Sequence, residues 1–511
     1  MVDIFCHSDM LPMVAVLLPF SAAVLMFLAP RRIPWLCEAA SLLSSAALFP
    51  ITCLIFGLLE NGRGSALQYS VSSSLKFVLI PEIFGVTFGI MVSLLWVIAS
   101  IYTVSYMNRV EGRSKNKNVF YGCFSASIGC TLGVAFSGNV ITLFTFYEML
   151  TMCTYPLIIH SRSSTAFASG RFYIKTLVCS SMLFFMPSVV MISSVAPGIF
   201  GAGSFVSDVN PSLSVFIAAL MCLGVAKAAL VPVHVWLPKA MVAPTPVSAL
   251  LHAVAVVKSG VFTIIKIAVY SLGIDGMREF FATRGAILEG TMSFLNIGMY
   301  LSACTMIVGS IIAAQQTNLK KLLAYSTISQ LSYITLAVSM YTADSVMASM
   351  TQMICHAFAK ITLFFAVGVI YVCTGKTDIK DIDGLGRAMP ITFIAFSIGA
   401  LSMIGIPPAP TFWGKFYIIS AALHQNNFLV VFAVIVSTLL NTLYFAPVVY
   451  RAFFSRSHST HTVVCVPPWM IVAMLMTCAC TIALFFFPEI TLKAFARSAT
   501  YSQQVSNFFK V

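Results

Sequence analysis

Apolar runs of about 20 residues recur along the whole chain, separated by short polar stretches. Coiled as a helix, such a run matches the hydrocarbon core of a bilayer. The pattern predicts spans near 10–29, 33–58, 80–105, 119–136, 139–160, 172–194, 212–236, 246–271, 290–313, 321–341, 345–373, 391–422, 427–450 and 467–487, here spans 1 to 14 in chain order. Span 12 is long for one crossing, and its prolines predict a broken helix. The expected fold is an all-α polytopic membrane protein with about fourteen transmembrane helices.

Composition agrees with this reading. Of 511 residues, 59% are hydrophobic and 9% charged, where soluble domains run near 25% charged. Length alone would predict about three or four soluble domains, but a soluble fold could not hide so many apolar runs. The net charge of +13 raises nucleic acid as a partner. The basic residues sit in short gaps between apolar runs and not on one polar face, so no nucleic acid is expected. The bias of cytoplasmic loops toward Lys and Arg accounts for them instead.

The loops alternate in charge. One side carries Arg31, Arg32, Arg109, Arg113, Lys115, Lys117, Arg162, Arg171, Lys239, Lys320, Lys321, Lys376, Lys380, Arg387, Arg451 and Arg456. The other carries Arg63, Lys76, Arg278, Arg284, Lys493, Arg497 and Lys510. The first set is expected to be cytoplasmic, and an even number of spans then puts both termini outside. The N-terminus has no basic region before its first run, no small-residue cleavage site and no Arg- and Ser-rich transit character, so that run is expected to stay as a span. The expected location is a bacterial inner membrane with both termini periplasmic. A mitochondrial inner membrane is the alternative, because an organelle-encoded protein also lacks a transit peptide.

The 14 cysteines are scattered. Most lie in apolar runs, as Cys130, Cys179, Cys222 and Cys304 do, and read as buried small residues. Cys478 and Cys480 are two apart and share no helical face. There is no Cys-x-x-Cys pair, so neither zinc nor an iron–sulfur cluster is expected, and no cofactor is implied.

Six basic residues remain inside the spans: Lys175, Lys227, Lys258, Lys266, Lys360 and Lys415. A charge at the bilayer centre costs at least about 2.5–3.5 kcal/mol, so it marks function by default. Glu148, Lys227 and Lys258 are central in their runs, and Lys415 lies just beyond the prolines of span 12. A static buried ion pair or a lysine snorkelling along its stem is the competing explanation. Snorkelling is the favoured reading for Lys175 and Lys266, which lie nearer span ends. His356 and Lys360 are four apart and share a helical face; His234 is two turns from Lys227 and would share its face. His252 is either a relay group or a satisfied structural histidine. Lysine and histidine can each bind and release a proton in such surroundings, whereas arginine cannot. No arginine falls inside a span, as a titrating relay requires.

Pro232 and Pro238 follow Lys227, with Pro244 and Pro246 beyond, while Pro407, Pro408 and Pro410 precede Lys415. Proline inside a helix removes a hydrogen bond and breaks it. Two interrupted spans, one per half, point to an inverted-repeat transporter with its ion path beside the breaks. The two lysines are five spans apart, and an odd number inverts the second copy. The expected division is 1–118 for spans 1–3, 119–271 for a first repeat of spans 4–8, 290–450 for a second repeat of spans 9–13, and 451–511 for span 14 with a short tail. Moving Glu148 by the same interval lands near Tyr333, in a span without a carboxylate, so the halves are not chemically equivalent.

At these residues the chain resembles a known family, the antiporter-like proton-translocating subunits shared by respiratory complex I and the multisubunit Mrp-type cation/proton antiporters. The likeness runs from about residue 80 to 455 and rests on FTFYEMLTMCTYPLI, AKAALVPVHVWLPKAMVAPTPVSALLHAVAVVKSG, NLKKLLAYSTISQLSY, HAFAKITLFFAVG and GIPPAPTFWGKF. It implies fourteen core helices with the seventh and twelfth broken. It implies that Glu148 is the membrane glutamate paired with Lys227, that Lys258 and His252 are the lysine and histidine of span 8, that His356 and Lys360 are the pair of span 11, and that Lys415 is the lysine of span 12. Two positions depart from the family: Lys239 stands where an acidic residue is usual, and Asn318 where aspartate is common. APTPVSALLHA resembles the largest antiporter-like subunit of complex I, whereas Lys258 resembles the others and the D-type subunit of Mrp antiporters. A protein like that D-type Mrp subunit is the expectation, with a proton-pumping subunit of NADH:quinone oxidoreductase as the alternative.

Partners implied are other hydrophobic membrane subunits, the lipid bilayer and protons, with sodium or potassium left open. The chain itself offers no redox chemistry, lacking a Gly-rich dinucleotide loop, a Cys cluster and a soluble domain. It would share in an enzyme only as part of a translocase. The third reading is a non-transporting membrane scaffold, which explains the helices but not four central ionisable residues.

Overall fold

The computed structural model describes residues 10–30, 33–64, 66–70, 76–110, 116–195, 200, 211–272, 294–456 and 466–488. Each predicted span contains a helix. Ten helices among the described residues are long and apolar enough to cross a membrane. Spans 7, 8, 10 and 12 fall outside that number. Spans 7, 8 and 12 are shortened by breaks, and the span 10 helix, Leu319–Val338, is crowded with hydroxyls: Ser326, Thr327, Ser329, Ser332 and Thr335. The start of span 9, the basic residues Arg31, Arg32, Arg113, Lys115, Arg278, Arg284, Lys493, Arg497 and Lys510, and the tail from 489 onward lie outside the described residues.

The axle of the bundle is the span 11 helix, Ala343–Thr374. Its most apolar stretch is wholly buried, and it packs against helices of spans 3, 8, 10, 12 and 14. A charge on this helix has protein on every side and cannot snorkel to a headgroup. That placement is what gives His356 and Lys360 a central position.

Three features were not expected. A two-stranded antiparallel hairpin, β1 (Leu67–Ser70) with β2 (Lys76–Leu79), sits ahead of span 3. It is tied to the turn after span 4 by Ile80 N–H to Phe136 O at 2.7 Å and Gly138 N–H to Val78 O at 2.7 Å. Span 8, read as one continuous helix, has π-helical turns at Leu250–Val254 and Ala268–Leu272 flanking the α-helix Val256–Ile267. No proline or glycine lies within those turns; wide turns of this kind often mark functional sites. Finally, Cys179 and Cys304, expected to be buried, are exposed on outer helix faces.

Candidate functional site

The break in span 7 begins earlier than its prolines. The helix Pro211–Gly224 stops at a glycine, and residues 225–235 run through two short 3-10 turns. Pro232 cannot donate to the carbonyl four residues back and would clash with it. The chain around Lys227 therefore cannot be helical, and Ala229 adopts a left-handed conformation (φ 56°). Backbone groups freed at membrane depth need partners, and neighbours supply them. Trp236 Nε1 donates to Ala226 O at 2.9 Å, Val231 N–H to Thr305 Oγ1 at 3.1 Å, and Lys227 N–H to the Tyr147 hydroxyl at 3.2 Å.

Span 12 breaks in the same way. Its first half, Pro390–Ile404, ends on Gly405 at φ 84°, and Thr411–His424 resumes after the prolines. The freed carbonyls of Ile404 and Met403 accept from the Lys415 ammonium at 2.8 and 3.3 Å.

Each broken-span lysine lies over a tyrosine ring. Lys227 Nζ is 3.4 Å from the Tyr147 centroid and Lys415 Nζ is 4.8 Å from that of Tyr333. The intervals nearly match, 415 − 227 = 188 against 333 − 147 = 186. The tyrosine pairing is shared by the two halves although the glutamate is not. Lys227 also donates to the Tyr147 carbonyl. Both Glu148 carboxylate oxygens are buried without a hydrogen-bond partner. Glu148 lies within electrostatic reach of Lys227, but no direct ion pair joins them among the described residues.

Between the two breaks runs a line of buried polar groups. Lys227, Lys258, His356 and Lys360 are completely buried and Lys415 almost so. Lys258 Nζ lies 2.6 Å from His356 Nδ1. One turn along the axle, Lys360 donates to Ser326 Oγ at 2.7 Å and Leu323 O at 3.1 Å. Gln352, one turn before His356, donates to Gln330 Oε1 at 2.8 Å, and Gln330 donates to Met403 O at 3.1 Å. That carbonyl also accepts from Lys415. Lys415 reaches Thr438 Oγ1 at 3.2 Å as well. The arrangement can pass a proton sideways through groups that both accept and release it, joined by hydroxyls and amides.

Several expectations change. Lys266, read as snorkelling, is buried in an ion pair with Glu82 at 3.6 Å; it faces inward because span 8 is enclosed by other helices. Lys175 is exposed on its helix. His234 shares no helical face with Lys227, because the break intervenes; it sits half-buried on the turn Val233–Val235. His252 lies in the first π-helical turn of span 8, and its side chain is outside the described residues. Pro232, Pro407 and Pro408 sit at the breaks, whereas Pro238 lies within the short helix Trp236–Lys239. The departures are accommodated locally. Lys239 Nζ covers the Phe172 ring at 3.5 Å. Asn318 caps the span 10 helix, as aspartate would, and its amide donates to Asp378 at 3.2 Å, where aspartate would repel.

The reading from residues missed Tyr147, Ser326, Gln330, Tyr333, Gln352, Thr438 and Glu82. For all but Glu82 the one signal is an uncharged polar side chain inside an apolar run, and such side chains are common there; Glu82 is a charge close to the start of its span.

Gly260 is where span 8 presses on the span 7 break. A Cβ there would stand 2.5 Å from the Lys227 carbonyl carbon and 2.6 Å from Ala228 N. Backbone cannot give way as a flexible side chain can. Gly260→Ala should therefore displace Lys227 and destabilise the fold by about 1–3 kcal/mol or more. The check is a lower thermal midpoint of the purified protein; an unchanged midpoint would refute this packing.

Known proteins share this architecture. The family described as "NADH:quinone oxidoreductase/Mrp antiporter, TM" matches residues 137–441. The chloroplastic NAD(P)H-quinone oxidoreductase subunit 5 of Mesostigma viride is 33% identical over 363 residues, 65% of this chain and 50% of that protein. A probable K(+)/H(+) antiporter component of Rhizobium meliloti, of the A/B type, is 27% identical over 425 residues, 80% of this chain and 39% of that protein. The chain thus spans half or less of the length of these two relatives. Among solved structures, a chain of the Mrp complex from a Dietzia species superposes with a TM-score of 0.78 at 21% identity, covering 97% of this chain and 99% of that one. At that identity the likeness concerns the fold.

Proposed function

Because the chain belongs to the NADH:quinone oxidoreductase/Mrp antiporter membrane family, we propose that it translocates protons, alone or in exchange for sodium or potassium, as one subunit of a larger membrane assembly. The observation that carries this reading is the line of buried lysines, histidine, amides and hydroxyls between the two helix breaks. So many charges in a membrane interior are costly, and only a titrating role explains why lysine and histidine, never arginine, occupy the line.

On this reading all fourteen spans cross the membrane, and spans 4–8 and 9–13 are the two inverted repeats. Matching breaks and matching lysine–tyrosine pairs support the repeat. Glu148 acts as the carboxylate that holds a proton near Lys227 and releases it when the partner's charge changes. Lys258, His356, Lys360 and Lys415 then carry charge along the axle. The cytoplasmic placement of the basic loops and a bacterial inner membrane belong to the same proposal.

An Mrp-type antiporter is the assembly favoured by Lys258, and the likeness to its D-type subunit rests on that residue. The second reading, a proton-pumping subunit of an NADH:quinone oxidoreductase, is favoured by relatives named subunit 5. The test is purification of the tagged protein in mild detergent with identification of what accompanies it. Small hydrophobic antiporter subunits support the first reading. Flavin and iron–sulfur subunits overturn it in favour of the second. Recovery of neither class counts against membership of a larger assembly.

A further inference from the structure

Span 8 carries more buried polar groups than the lateral line uses. Ser259, Thr263 and Lys266 are spaced four and three residues apart, so they share one face of the helix Val256–Ile267. All three are buried. The hydroxyls of Ser259 and Thr263 have no hydrogen-bond partner, and neither has that of Ser271 in the following π-helical turn. One orphaned buried hydroxyl costs about 1–3 kcal/mol. Three along one helix are far from the norm of native interiors unless water joins them.

The line starts beside Lys258 and ends at a pair that the lateral relay does not use. Lys266 Nζ lies 3.6 Å from Glu82 Oε2 and donates to Ala135 O at 3.0 Å. Glu82 Oε2 has no hydrogen-bond partner within normal distance, while Tyr270 hydrogen-bonds the same carboxylate. Phe200 and Phe262 wall the lysine at 5.6 and 5.9 Å. From Lys258 to Lys266 is eight residues, about 12 Å along a helix axis, close to half the hydrocarbon thickness of about 30 Å. Glu82 immediately precedes the span 3 helix and Ala135 lies in the last turn of the span 4 helix, so the pair sits at the end of the bundle opposite Arg109 and Asn116. The hairpin is pinned to that same end.

We infer that span 8 is a second, vertical proton route, running from Lys258 past Ser259 and Thr263 to Glu82, with Lys266 as its positioning residue, and opening at the hairpin end. The inference rests on the relay reading above. A proton leaves the Lys258 ammonium, passes along the hydroxyls and the water between them, and protonates the Glu82 carboxylate. Lys258 is left a neutral amine and Glu82 a neutral acid. Loss of that proton to the aqueous side restores the carboxylate and its pairing with Lys266. The lateral line then distributes charge between sites, and this branch connects the centre to one surface.

The test uses the complete assembly in proteoliposomes with a trapped pH-sensitive dye, flux being normalised to assembled complex. Glu82→Gln should lower proton flux about a hundredfold, as loss of an acid–base group does. Thr263→Val should lower it about tenfold, the weight of one hydrogen bond in a barrier, and Thr263→Ser should restore it. A purely structural threonine would not be rescued in this way. If Glu82→Gln fails to assemble, the Thr263 pair decides. Wild-type flux in Thr263→Val and in Glu82→Gln, with flux lost in Lys227→Ala, overturns the vertical route and leaves the relay standing. Wild-type flux in Lys227→Ala overturns both.

Discussion

Replacing Lys227 with arginine should reduce proton flux by about a hundredfold or more while leaving the assembled complex in the membrane. Arginine keeps the positive charge and can still lie over the Tyr147 ring, where Lys227 Nζ stands 3.4 Å from the centroid. It can also donate to the Tyr147 carbonyl, as the lysine does. What it cannot do is release its proton. A scaffold would accept arginine here, because charge and contacts survive; a relay would not. Lys227→Ala removes the cation facing Glu148 and should lose flux to a similar degree. The measurement is dye-reported flux in proteoliposomes, with the amount of assembled complex read on native gels. Full flux in the arginine variant would rule out titration at Lys227. Lost assembly in both variants, with flux per complex unchanged, would favour the scaffold.

The parts of the proposed relay that could be read from residues are those whose chemistry contradicts their surroundings. Lys227, Lys258 and Lys360 were visible because an ammonium in an apolar run is expensive enough to need a reason. The breaks were visible because proline leaves the backbone no helical option. What escaped the reading costs little locally. Gln330 and Gln352 are uncharged, and their link depends on two helices meeting at 2.8 Å, which no spacing in one helix reports. Glu82 and Lys266 each lay near a span end, so position alone argued for water; only the packing of span 8 shows them facing each other. The π-helical turns of span 8 have no residue signature at all, since they follow from tertiary contacts overriding local preference. His234 failed for the converse reason: a face was assigned across a stretch that the neighbouring proline had already unwound.

The contact between Lys258 and His356 carries the other large expected effect. At 2.6 Å, Nζ and Nδ1 share one hydrogen between them. An ammonium donates to a bare Nδ1, and a neutral amine accepts from a protonated one. On the relay proposed above, moving the hydrogen across the gap is the transfer step, from span 8 to the axle that also bears Lys360. His356→Leu should cost about a hundredfold in flux, and Lys258→Leu the same. If the two residues perform one step, the double variant should be no slower than either single one, as with groups that act as a unit. Losses that multiply in the double variant would mean that the two side chains serve different steps, and the line between the breaks would then have to be divided at this contact. Leucine at 356 is close to histidine in volume, so assembly should persist and the comparison remain one of rates. The cycle thus asks whether a buried contact this short is a joint in the path or only a neighbour of it, and flux in the double variant answers directly.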